Sequence, residues 1–415
     1  MRSVGMASPK LPAILIAALI GVATLLAASP RASAQLPSAS VRSLGLSGSD
    51  TAMARGVGAI SATPAGLAMP DSGFSLAIIP VGVSADFGEI RVEQLRDAAG
   101  AITGSGSSRA EGFKDLSETL LDRGARVRVR ADLTAFALTL GDVVEQVSIG
   151  LQAGAAASFG ADIAAVNAEN PVDLDADGYL VTTVGLGAAR PLPILTEHLD
   201  TVAVGATVKY SLGHLVAIAD GSARRAASNS TDGLGIDELS VDAIYGVEVS
   251  QVIGSGIGVD AGVMATRDRW SFGVSVQNLP ATFTWDRSKL TYLAVLSGDL
   301  DERPFEEAPA DLKSKLPQPL VPSARIGAAY RAVDELTISG DFHYRFGDTL
   351  AAWPTLHAGV GAEYRPVDVV ELRAGAALIS DAVQFSGGAS LILGPCGKSL
   401  RQVFVRHDPV RIVAH

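Results

Sequence analysis

The sequence predicts an all-β fold, an antiparallel transmembrane β-barrel of about 14 strands. Three observations predict it. Across residues 335–393, four successive segments alternate apolar and polar side chains with a period of two, so one face is apolar and the other ionic. The segments run about 9–13 residues, close to the 9–11 that a tilted strand needs to cross hydrocarbon and longer than the 5–6 of a sandwich strand. Short turns also alternate with long insertions at 87–124, 163–178, 220–236 and 298–319, all rich in charge, Gly, Ser or Pro. Barrels show the same asymmetry, one end tight and the other looped. A β-sandwich produces the same alternation with its apolar face inside; strand length and loop asymmetry favour the barrel.

The chain opens with a pattern for export. Arg2 and Lys10 precede an uncharged apolar stretch at 11–27, and Ala32-Ser33-Ala34 follows before Gln35. These are the three parts of a cleavable secretory signal over 1–34, and the apolar stretch is short for a spanning helix. Its removal takes basic residues and no acid, leaving a mature chain more acidic than the −11 of the full sequence. An acidic surface argues against nucleic acid or anionic headgroups as partners. Cys396 is the single cysteine, so no intramolecular disulfide can hold the fold. After residue 35 no apolar run is long enough for a helical span, and a closed sheet is the other way to satisfy every backbone group inside a membrane.

The strands follow in order. Segments at 73–85, 127–140, 145–159, 178–190, 200–213, 239–252, 255–266, 270–285, 288–297 and 322–331 precede the four clean ones. In 335–346, Leu336, Ile338, Phe342 and Tyr344 oppose Thr337, Asp341, His343 and Arg345. In 355–365, Leu356, Val360 and Tyr364 oppose His357, Glu363 and Arg365; in 370–378, Leu372 and Leu378 oppose Glu371 and Arg373. A lipid-facing apolar side leaves Asp341, His343, Arg345, His357, Glu363, Arg365, Glu371 and Arg373 as the polar lining of a wet lumen. The aromatic girdle is thin: Tyr210, Tyr245, Trp270, Trp285, Tyr330, Tyr344 and Tyr364.

Residues 43–85 combine a Gly-rich start (SLGLSGSDTAMARG) with ATPAGLA ahead of the first strand. With VAVGATVKY (202–210), WSFGVSVQNL (270–279), RIGAAYR (325–331) and GAEYRPVDVVELRAG (361–375), this resembles the FadL-like and TraF-like outer-membrane β-barrels. It looks most like their uncharacterised branch, domain of unknown function 5723. The resemblance covers about 43–395. It implies a location in the outer membrane of a Gram-negative-type bacterium, with outer-membrane lipid and the barrel-insertion machinery as partners. It also implies a short N-terminal plug segment inside or capping the barrel, over 35–70, with the barrel at 71–395. In FadL-type transporters the corresponding segment folds inward as a hatch. Here Pro64, Ala65, Gly66 and Leu67 match the motif, while Thr63 replaces its Asn. The residue types suit the role: small side chains pack closely, and Pro64 and Gly66 interrupt regular pairing. A purely structural start that buries an apolar end is the other reading.

Other features point to little chemistry. Asp173, Asp175 and Asp177 before Gly178 resemble half a calcium loop, but position twelve is Val184 rather than Glu, which reads as an acidic surface loop. His343 and His357 share the lumen face of neighbouring strands, where an ionic lining is the commoner outcome than a metal or proton site. No nucleophile elbow, HExxH, P-loop or dinucleotide fingerprint occurs, so no enzyme activity, cofactor or metal is expected. The tail at 396–415 lacks a long alternating face and ends in Ala414-His415. It reads as a frameshift or truncation near residue 395, or as a divergent tail with 402–406 as a last strand. Two functions remain. The resemblance implies passage of small hydrophobic solutes; a filled barrel that anchors export, conjugation or surface partners through its loops is the alternative.

Overall fold

A computed structural model of the 415-residue chain describes residues 41–70, 72–78, 81–86, 125–163, 172–193, 199–225, 236–248, 251–296, 299–346, 355–367, 369–379, 382–391, 403–405 and 410–412. The expected export signal at 1–34, the whole insertion at 87–124 and most of the tail at 396–415 lie outside them.

One antiparallel sheet of nineteen hydrogen-bonded segments makes up the wall. β1 (Ser75–Ile78) and β2 (Val81–Asp86) both pair with β3 (Ala125–Val144) and are one interrupted pass. β4 (Val147–Ile163), β5 (Val172–Pro191) and β6 (Thr201–Arg225) follow in antiparallel register. The next descending pass is broken into β7 (Ile236–Val247) and β8 (Gly254–Arg267), which pair with the two halves of β6. The ascending pass after it is broken into β9 (Trp270–Gln277), β10 (Ala281–Trp285) and β11 (Thr291–Leu296). β12 (Asp299–Pro304) pairs with β11, and β13 (Ser323–Val333) with β9. β14 (Leu336–Arg345), β15 (Leu356–Val367), β16 (Val370–Ile379) and β17 (Ala382–Leu391) run as a plain meander. From the tail, β18 (Val403–Val405) and β19 (Val410–Ile412) both pair with β17. Joining the broken passes brings the segments close to the expected fourteen.

Burial is inverted relative to a soluble protein. Leu186, Val208, Ile257, Ile338, Val360 and Leu378 are exposed, while Thr207, Lys209, Asp260, Ser275, Gln277 and Arg373 on the opposite faces are buried. Outward apolar and inward polar residues are the alternation of a membrane-crossing barrel. Tyr210, Trp270, Tyr330, Tyr344 and Tyr364 lie on the outside, with Trp270 stacked on Phe272 at 5.9 Å and beside Tyr330 at 4.7 Å. Trp285 is a correction: it is buried inside rather than part of the girdle.

The insertions are also shorter than the sequence suggests. Residues 172–178 and 220–225 are strand, so Asp173, Asp175 and Asp177 belong to β5 rather than to a loop. Much of 299–322 is ordered, with β12, two helical turns and a return inward to β13. The physical reason lies at His214. β6 carries one extra residue there, where Leu180 pairs with Leu215 and Val181 with Gly213. Such a bulge reverses which residues face inward. Before it Lys209 and Ser211 face the lumen; after it Val216 and Ile218 do.

Candidate functional site

The lumen is occupied by residues 41–70. They form a helical turn at Val41–Gly45, a second at Val57–Ser61 and a 3-10 turn at Pro64–Ala68, with no strand pairing. Pro64 opens the 3-10 turn from an extended Thr63, whose hydroxyl donates to the Thr51 carbonyl at 2.9 Å. The Gly66 amide donates to the Thr63 carbonyl, and the Ser72 hydroxyl to that of Gly66. Pro64, Ala65, Gly66 and Leu67 are all buried. The reason for small residues is contact with the wall. A Cβ at Gly205 of β6 would lie 2.5 Å from the Pro64 carbonyl carbon, and one at Gly273 of β9 would lie 2.5 Å from the Thr51 oxygen. Leu67 packs on Gly150 and Gly187, and Leu46 on Gly361. One segment therefore touches β4, β5, β6, β9 and β15, which requires the sheet to curl around it.

An irregular segment leaves backbone groups without secondary-structure partners, and buried ones need others. The lumen side chains supply them. The Asp341 carboxylate accepts from the Thr51 amide at 2.7 Å, and the Ser339 hydroxyl donates to the Ser49 carbonyl at 2.7 Å. Nε2 of His357 donates to the Ser47 carbonyl at 2.6 Å, and the Gln277 amide to that of Ser61 at 2.5 Å. His343 stacks on His357 at 4.5 Å and lies 3.3 Å from Asp341. Asp341 Oδ1, His357 Nδ1 and Ser49 Oγ are buried without a hydrogen-bond partner, which makes this the least satisfied side of the contact.

A chain of charges clamps the other side. Arg42 of the segment forks onto Glu363 at 2.5 and 2.8 Å, and Arg373 donates to the same carboxylate at 2.9 Å. Arg373 also reaches Glu371, which accepts from Arg365 at 2.7 Å. Of the eight polar residues named from the sequence, Glu363, Arg365, Glu371 and Arg373 join this network, Asp341, His343 and His357 meet the segment near Ser47–Thr51, and Arg345 lies at the end of β14, opposite Ser323. Arg42 was missed, because a lone arginine in a Gly-rich stretch gives no signal of what it will meet. Among the described residues no group of His, Cys, Asp and Glu is arranged to hold a metal.

Two further regions flank the segment. On the short-turn side a cavity of about 560 Å³ opens between Arg42, Met53 and Arg55 of the segment and Trp270, Arg331 and Glu335 of the wall. On the looped side the lumen turns apolar. Tyr179, Val216, Ile218, Ile244, Phe283 and Trp285 form a cluster closed over by Phe305, Leu312 and Leu320 of the inward-folding loop. The Trp285 indole donates to the Pro317 carbonyl at 2.6 Å and meets Phe283 edge-on at 4.9 Å. Lys315 of the loop bridges Asp175 at 3.0 Å and Asp220, and the Asp220 hydrogen bond holds its ammonium above the ordinary lysine range.

No protein-family model, the uncharacterised family named above included, and no curated protein sequence matches the chain. Among solved structures it is similar to a Pseudomonas aeruginosa FadL homologue, at 10% identity over 89% of this chain and 88% of that one, with a TM-score of 0.44. It is also similar to the CymD monoaromatic hydrocarbon channel, at 11% identity over 85% and 93%, with a TM-score of 0.43. The unliganded ferric citrate transporter FecA matches at 10% identity over 65% of this chain, which spans 39% of that protein, with a TM-score of 0.26. The fold described above rests on strand pairing and burial within this chain, not on these distant likenesses.

Proposed function

We propose that the chain is an outer-membrane barrel that passes small hydrophobic solutes, with residues 41–70 as the hatch. The observation that carries this reading is the division of the lumen: an apolar, aromatic compartment under the inward-folded loop, above a segment held by side-chain contacts rather than by strands. A water-filled pore would place polar groups there. An apolar molecule entering from the looped side finds contacts in place of Leu312 and Leu320. Onward movement then requires the segment to loosen, and the under-satisfied contact at Ser49, Asp341 and His357 is where it yields first. The exposed apolar belt takes outer-membrane lipid, and assembly uses the barrel-insertion machinery.

The test is uptake of labelled naphthalene by cells whose outer membrane carries the chain, with a labelled sugar as the polar control. Naphthalene uptake rises several-fold over cells without the chain, sugar uptake does not, and Phe283→Ala with Trp285→Ala removes most of the gain. No gain with the barrel present in the membrane overturns the reading. The ion-clamped segment favours the second reading, a filled barrel that anchors partners through its loops, and that outcome would select it.

A further inference from the structure

Lys209, Asp260 and Asn278 meet in the wall with 0%, 0% and 1% of their surfaces exposed. Lys209 lies opposite Gly258 of β8, and a Cβ there would stand 3.5 Å from Lys209 Cε and 3.3 Å from Asn278 Oδ1. Glycine therefore leaves the room that lets the lysine stem turn toward β9. Lys209 Nζ is 2.6 Å from Asp260 Oδ1 and touches Asn278 Oδ1. Asn278 sits just past β9 with φ of 58°, a left-handed conformation that Asn tolerates better than most residues. Its amide N–H donates to Asp260 Oδ1 at 2.8 Å, and its Nδ2 donates to the Val321 carbonyl at 2.8 Å. Asp260 Oδ2 is buried with no hydrogen-bond partner. Leu320 packs within the same pocket. A dry lysine and carboxylate make a poor stabilising device as an ion pair, because desolvating both charges offsets their attraction.

We propose that these three residues form an intramolecular isopeptide bond between Lys209 Nζ and Asn278 Cγ, with Asp260 as the catalytic carboxylate. Asp260 takes a proton from the Lys209 ammonium, leaving a neutral amine against the Asn278 carboxamide. Nζ attacks Cγ and the Nζ–Cγ bond forms. Asp260 gives its proton to Nδ2 and takes the second Nζ proton, the Cγ–Nδ2 bond breaks, and ammonia leaves. Of the three ammonium protons one stays on the new amide, one departs in ammonia and one remains on Asp260. No oxidant or cofactor enters. Two buried charges become a neutral amide and a neutral carboxyl, and Asp260 Oδ2 gains a role as donor. The bond ties β6 to the end of β9 across β8, a covalent staple in a chain whose single cysteine allows no disulfide. It stands whatever the lumen passes.

Peptide mapping by tandem mass spectrometry of the full chain extracted from membranes decides it. The expected product is a branched peptide joining Lys209 to Asn278, lighter by one ammonia than its two parts, with no tryptic cut after Lys209. Fragmentation must place the loss, because an N-terminal glutamine that cyclises also loses ammonia. The branched peptide is absent from Lys209→Arg and Asp260→Asn chains and from wild-type chain kept unfolded in urea. Linear peptides carrying free Lys209 and intact or deamidated Asn278, from wild-type chain folded in membranes, overturn the proposal. That result needs no variant to fold.

Discussion

At Glu363 two guanidinium groups converge, Arg42 from the plug and Arg373 from β16, and only Arg373 has a second carboxylate in Glu371. Replacing Glu363 by Gln leaves Arg42 without its counter-ion. Breaking a fully buried pair costs about 3–5 kcal/mol; Arg42 keeps 26% of its side chain exposed, so the expected cost is nearer 2 kcal/mol, with the lower end of that range as its ceiling. Arg42→Met combined with Glu363→Gln loses less than the sum of the two single changes, because the pair is coupled. Denaturant midpoints in detergent measure both, and additivity would show that the clamp is not an interaction at all. Gly205→Val tests the contact from the wall, since its side chain meets Pro64 and Ala65 backbone. We expect the plug to become cleavable by protease while the barrel survives. Gly340→Ala, with nothing but a carbonyl at 3.8 Å, is the matched control and leaves the plug protected.

At the scale of elements, the inward loop at 305–320 is held by two kinds of contact of unequal strength. Lys315 and its two aspartates are half exposed, so Lys315→Ala costs under about 1 kcal/mol. Trp285 is buried against Phe283 and bonded to Pro317, so Trp285→Ala costs about 3–5 kcal/mol. Hydrogen exchange over 305–320 should rise sharply in the second variant and little in the first; the reverse order would mean the loop is held by charge. This element also marks where the sequence stopped being readable. In β14, in β15 as far as Tyr364 and in β16 the side chains keep their faces, so Ile338 outside and Asp341 inside follow from alternation alone. In β6 the extra residue at His214 reverses the pattern midway, and Val216 and Ile218 fall between the strand expected at 200–213 and the insertion expected at 220–236. The apolar compartment stayed hidden for the same reason, since its walls come from β5, β6, β7 and β10, where no single segment shows it. Arg42 and Lys209 were equally illegible: their partners lie 321 and 69 residues away.

For the molecule as a whole, the deciding property is which medium the outer face meets. Val360 lies mid-strand in β15 with 60% of its surface exposed, between Gly340 and Ala376 on neighbouring strands. In a protein surrounded by water, Val360→Arg at such a site would change stability by no more than about 0.5 kcal/mol, since it replaces an exposed apolar side chain with a charged one and disturbs no packing. In a bilayer the same change places a charge against hydrocarbon, at about 2–4 kcal/mol near the midplane. The measurement is folding into lipid vesicles, read as the difference in gel migration before and after boiling. Wild-type chain should show that difference, as should Val360→Leu. Val360→Arg should show it in a smaller fraction of the chain and lose it at lower denaturant. Equal folding of all three would remove the membrane from this account, and the exposed belt from Leu186 to Leu378 would then need a protein partner instead of lipid to cover it.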